Sequence, residues 1–184
     1  IVGVANPTWL QGCKLEGKHL QYLRSRVLRT FTAREGFWPP DLARRVREDL
    51  RVSTCMVFGF DPEAEPLSDG EIGRLYLDED VFQARLEELR GGRYVLIGGT
   101  DADWLFTLGR EDLIARMAAL VRAAGRIPLL ICHYASTVLP RADAMGLDVE
   151  GYFAPINRSW GWFTQEAAAE AVRRARRPVT AFMA

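Results

Sequence analysis

The chain has 184 residues, with 24 basic and 24 acidic side chains and a formal net charge of +0. That balance removes the basic footprint of a general nucleic-acid binder. No apolar run approaches the ~18 residues needed to span a bilayer, and no basic-then-apolar leader pattern is found. The composition therefore reads as that of a soluble, cytoplasmic protein with no nucleic acid and no membrane among its partners. Three cysteines, Cys13, Cys55 and Cys132, are odd in number and far apart, which argues for a reducing compartment.

Residues 1–5 read as a first strand, followed by loop around Asn6-Pro7, Gly12 and Gly17. Over 18–34, Leu20, Leu23, Val27, Leu28 and Phe31 recur on one face of a helix whose arginines lie largely elsewhere. Gly36-Phe-Trp-Pro-Pro40 breaks that pattern, Asp41 opens a short helix, and strand formers predict a strand over 52–60 ending at Asp61. Residues 62–73, rich in acid, proline and glycine, predict a loop or lid.

A helix follows, with Asp80 and Gln83 at capping-box spacing and Gly91-Gly92 as its stop. The apolar run Tyr94-Val-Leu-Ile97 predicts a strand over 94–99. Leu113, Ile114, Met117, Leu120 and Val121 then form the stripe of a helix over 110–124. A strand over 127–132, a helix over 137–145, a strand over 150–155, a helix over 165–176 capped by Thr164 and a strand over 179–183 complete the chain. On the last helix Ala168, Ala171, Val172 and Ala175 face inward.

Strands alternating with helices predict α/β architecture made of parallel βα units in a single domain over 1–184. The apolar start at Ile1 and the strand-like finish carry the expectation of a fragment of a larger barrel. The remainder of that barrel, or a homo-oligomer, would then be a partner. An open doubly wound sheet is the alternative arrangement.

Parallel strands gather their chemistry at their C-terminal ends. There the sequence places Asn6, Asp61, Thr100 with Asp101 and Asp103, Cys132 with His133 and Tyr134, and Asn157 with Arg158. His133 is one of only two histidines and follows an apolar strand, where an imidazole faces the ligand crevice and moves protons near neutral pH. Asp101 is expected beside it, as base or metal ligand. Arg158 suits an anion, and Asn157, Tyr134, Thr100 and Asn6 suit its polar groups. Asp61 and Asp101 with water could hold a divalent ion such as magnesium, which needs few protein ligands.

Several chemistries are disfavoured. Gly98-Gly99 fits neither phosphate-loop pattern and leads into acidic residues. Cys132 and His133 are neighbours on a strand and point to opposite faces, which disfavours a nucleophile–base dyad. Lys14 and Lys18 are the only lysines and neither lies on a late strand, so a Schiff-base enzyme is not expected.

Ile97-Gly-Gly-Thr-Asp101, Ile131-Cys-His-Tyr134 and Ala154-Pro-Ile-Asn157, each polar at the end of an apolar run, resemble strand ends of part of an aldolase-type (β/α)8 TIM barrel. That resemblance implies an enzyme and leaves its reaction open. The expectation is acid/base chemistry of lyase or isomerase type on a small polar, anionic metabolite. A flavin- or nicotinamide-dependent oxidoreductase, with the aromatic loop Asn157-Arg-Ser-Trp-Gly-Trp-Phe163 flanking the ring, is the second reading. A non-catalytic binding domain is the third.

Overall fold

The computed structural model describes residues 4–5, 12–35, 61, 63–89, 91–155 and 165–182. Asn6, Asn157 and Arg158, the helix expected after Asp41, the strand expected over 52–60 and the cap Thr164 lie outside them.

Among the described residues, five strands form a parallel sheet: β1 (Val4–Ala5), β5 (Tyr94–Gly98), β6 (Ile127–Ile131), β7 (Tyr152–Pro155) and β8 (Val179–Phe182). They lie side by side in that sequence order, without a reversal among the described strands. The register pairs Leu96 with Leu129, Gly98 with Ile131, Ile131 with Phe153 and Phe153 with Thr180.

Paired residues in parallel strands point the same way, so the sheet has two distinct faces. Val95, Ile97, Leu130, Tyr152 and Ala154 share one face and are fully or almost fully buried. Packed against this side of the sheet are α4 (Thr100–Leu108), α5 (Glu111–Ala123) and α6 (Ala135–Ala144), with α7 (Gln165–Arg174) packed on α6. Tyr94, Leu96, Ile127, Leu129, Ile131 and Phe153 share the other face and are only half-buried among the described residues. A groove of about 430 Å³ runs along this second face between Tyr94, Leu129, Phe153 and Thr180.

A small antiparallel sheet stands apart from the parallel one. The hairpin β2 (Cys13–Leu15) and β3 (Lys18–His19) carries β4 (Tyr76–Leu77) on its far side. A 3-10 turn over Leu20–Leu23 follows, and α1 (Arg24–Glu35) begins only at Arg24. The helix expected from residue 18 is thus displaced. His19 explains the break: its extended backbone and its Nδ1, which accepts the Gln21 N–H at 3.1 Å, cap the turn.

The expected loop over 62–73 contains a short helix, α2 (Asp69–Gly73), closed by a reciprocal cap between Ser68 and Glu71. It is also tied down. Arg26 holds Glu71 with two hydrogen bonds of 2.8 Å and also donates to the carbonyls of Glu65 and Pro66. Glu71 is pulled down to about 2, chiefly by its hydrogen bonds from Arg26 and then from Ser68.

The cap of α3 (Glu79–Glu88) is Asp78, which accepts the Val81 N–H at 3.2 Å, and not Asp80. Arginines also finish helices. Arg34 donates to the carbonyls of Thr107 and Leu108 at the end of α4, and Arg126 to that of Leu89 beyond α3. These are carbonyls that a helix end leaves without partners. No helix of the described residues is long and apolar enough to cross a membrane.

Candidate functional site

The end of β5 is shaped by two glycines. Gly98 has φ +100, and a Cβ there would lie 2.6 Å from the Ala102 Cβ and 2.8 Å from the Ile131 carbonyl oxygen. Gly99, at φ +67, donates its N–H to the same carbonyl at 2.7 Å. Only glycine accepts both the backbone conformation and the close approach at Gly98. The strand therefore turns directly into α4 and places Asp101 and Asp103 in its first turn, at the C-terminal end of β5.

On the neighbouring strand, β6 continues through Cys132 into His133 and Tyr134. Asp103 receives this segment. Its Oδ1 accepts the backbone N–H of His133 at 2.9 Å and that of Tyr134 at 3.0 Å, while its Oδ2 lies 2.8 Å from His133 Nδ1. The Asp103 side chain has no exposed surface, and that of His133 is 20% exposed. A carboxylate can only accept, so the contact places the proton of the neutral ring on Nδ1 and makes Nε2 the atom at which His133 titrates. Burial pulls the imidazole pKa down, but the field and hydrogen bond of Asp103 outweigh it and leave the pKa raised.

The aspartate paired with His133 is thus Asp103 and not Asp101, as the sequence led one to expect. Residues two apart on a helix do not share a face, so only one of the two can meet β6 in this way. Asp101 instead turns to the small sheet, where its Oδ2 accepts the Cys13 N–H at 3.1 Å. It is 5% exposed, and burial pushes its carboxyl up to about 7, with Asp103 adding to the rise and the Cys13 N–H opposing it.

Tyr134 is buried and Thr100, the first residue of α4, is half-buried. Asp61 lies near α1. Its N–H donates to Ser25 Oγ at 2.9 Å, and its Oδ1 accepts the Glu63 N–H at 2.9 Å, an ordinary aspartate turn. Among the described residues no group of three or more His, Cys, Asp or Glu side chains is placed to hold a metal ion. Cys132 is fully buried, and burial and then Asp103 push its thiol well above the usual range. It is a packing residue of the core.

What sequence reasoning missed is the role of Asp103. The signal was present in the apolar residues Ala102, Trp104, Leu105, Phe106 and Leu108, which call for a buried helix starting at the glycine pair. With that helix in place, Asp103 is the first-turn acid that meets the end of the next strand. No protein-family model, curated protein or solved structure matches this chain.

Proposed function

We propose that the chain is the strand-and-helix arc of a (β/α)8 barrel enzyme that uses His133 as its acid/base group, oriented by Asp103. The substrate is a small polar, anionic metabolite and the chemistry is of lyase or isomerase type. The observation that carries this reading is the Asp103–His133 pair at the C-terminal ends of two adjacent parallel strands. That is where barrels and open α/β sheets place reacting groups, and a buried carboxylate on Nδ1 orients an imidazole for proton transfer and stabilises the imidazolium.

The barrel part of the reading is supported by the unreversed strand order, by helices packed on one face and by an apolar second face that calls for cover. In the proposed step, Nε2 of His133 removes a proton from a carbon beside a carbonyl, Asp103 stabilises the resulting imidazolium through Nδ1–H, and the proton returns to the rearranged product. The anionic character of the substrate rests on Arg158 in the sequence.

Solvent-deuterium exchange into a panel of small carboxylates and phosphate esters, followed by proton NMR, tests the proposal. The wild-type protein is expected to exchange at least one of them. His133→Gln should slow that exchange by ~10²–10⁴-fold while the protein stays folded. Ligand binding without exchange would point to a binding domain, and a yellow, fluorescent protein to the flavin reading.

A further inference from the structure

Asp103 accounts for the anchoring of His133, and this leaves a second buried aspartate in the same helical turn to be explained. Asp101 is covered by the segment that leads into the β2–β3 hairpin. Cys13 binds it through its N–H, and Gly12 lies so close that a Cβ would fall 1.3 Å from Oδ2. The hairpin is pinned at its other edge by β4, where Cys13 pairs with Leu77. Because Asp101 stands in the first turn after β5, the hairpin rests against the same end of the sheet as His133.

We propose that Asp101 is a proton-operated latch: protonated, it lets the β2–β3 hairpin seat on the first turn of α4, and ionised, it loosens the hairpin from that end of the sheet. The consequence for access to the site rests on the reading of His133 given above, whereas the latch itself does not.

Two effects compete at Asp101. The Cys13 N–H favours the carboxylate, while burial beneath Gly12 and Cys13 and the neighbouring Asp103 charge disfavour it. Burial prevails, as the raised carboxyl shows. By linkage, a cover that makes ionisation harder is weakened by ionisation in the same measure. Glycine at position 12 fits this account, since its φ is not in the left-handed region and only the contact with Asp101 excludes a side chain.

Among the described residues, the groups around Asp101 do not offer a compensating cation. Asp103 on its own helix and the Cys13 thiol on β2 face it, and that thiol is pushed up by burial and by Asp101. Arg110 and Asp112 at the start of α5 bind each other and act on Cys13. His133 is engaged with Asp103, and Arg34 of α1 with the far end of α4. On α6, Arg141 pairs with Glu111 and Asp143 accepts the Tyr152 hydroxyl.

Amide hydrogen exchange read by NMR tests the latch without any substrate. The protection factor of Cys13, corrected for intrinsic exchange, should be constant below about pH 4, fall by up to ~10-fold per pH unit as the pH rises to about 7, and level off above that. The amides of Val95 and Leu130 in the parallel sheet should stay more protected than that of Cys13 throughout, since they open only with the whole fold. Asp101→Asn retains an acceptor oxygen and cannot ionise, so its Cys13 protection should be flat with pH. A flat wild-type profile, an equal fall in Asp101→Asn, or protection at Cys13 equal to that of Val95 and Leu130 would each overturn the latch. Should the variant fail to fold, the carboxyl carbon shift of Asp101 in the wild type decides, since it must titrate at about 7, where the fall in Cys13 protection ends, and not near 3.8. Failure of these tests leaves the role of His133 standing, and failure of the deuterium-exchange assay leaves the latch standing.

Discussion

Asp103 meets the His133–Tyr134 segment with three contacts at once, to the backbone N–H groups of His133 and Tyr134 and to the His133 imidazole. The same carboxylate that fixes the ring also fixes the chain that bears it. Orientation of the histidine is thus built into the junction between β6 and α6.

Replacing Asp103 by Asn separates these roles. The amide oxygen can still accept the two backbone N–H groups, but the negative field at Nδ1 is gone. The His133 pKa should fall below its wild-type value, because Asp103 is what raises it, and turnover should drop by ~10²–10⁴-fold. Histidine titration by NMR checks the first, and an unchanged pKa would mean that the pair is not coupled in solution.

The substitution Gly12→Ala should destabilise the protein by about 1–3 kcal/mol, since the new methyl group would overlap Asp101 Oδ2 and lie 2.5 Å from its Cγ. Asp101→Ala removes the obstacle, so Gly12→Ala should cost less in that background than alone. Urea unfolding of the four proteins in the cycle measures the coupling. Additive costs would show that the two residues do not touch.

Stability should depend on pH through Asp101 with a definite sign. The folded carboxyl, pushed up to about 7 from the usual 3.8, holds its proton where the unfolded chain has already released it. The stability it contributes is therefore complete below about pH 4 and is lost as the pH rises to about 7, with a slope of at most about 1.4 kcal/mol per pH unit. His133, also raised, extends the loss above its unfolded value of 6.5. Glu71 acts in the opposite direction, its contribution being lost as the pH falls from 4.5 to about 2. Denaturation across pH should show the loss between pH 4 and 7 in wild type and a flatter profile in Asp101→Asn. Equal slopes would place the carboxyl in water.

On α7, Ala171 is 8% exposed and Ala168 and Val172 are half-buried against the core, as is Ala175 just beyond its end. Small residues there permit the close approach of α7 to α6. Ala171→Leu should cost about 1–3 kcal/mol by overpacking, and an unchanged melting temperature would show the face to be open.

Local chemistry decides much of this protein. The runs Tyr94–Gly98 and Ile127–Ile131 are apolar because one face is buried and the other half-buried, and α5 carries a stripe because only one side of it meets the sheet. Such patterns depend on each element's own burial, so they survive in the sequence by themselves. The helix α4 left no stripe, since Ala102 to Leu108 are buried all round, and its glycine-led start resembled a loop. Which aspartate meets His133 follows from that helix, whose rotation sends Asp103 to the next strand and Asp101 to Cys13. The sequence alone determined that a carboxylate and an imidazole would gather at adjacent strand ends. Only the tertiary structure decided the partners, because a pairing across 30 residues is set by helix phase and strand register and not by spacing along the chain.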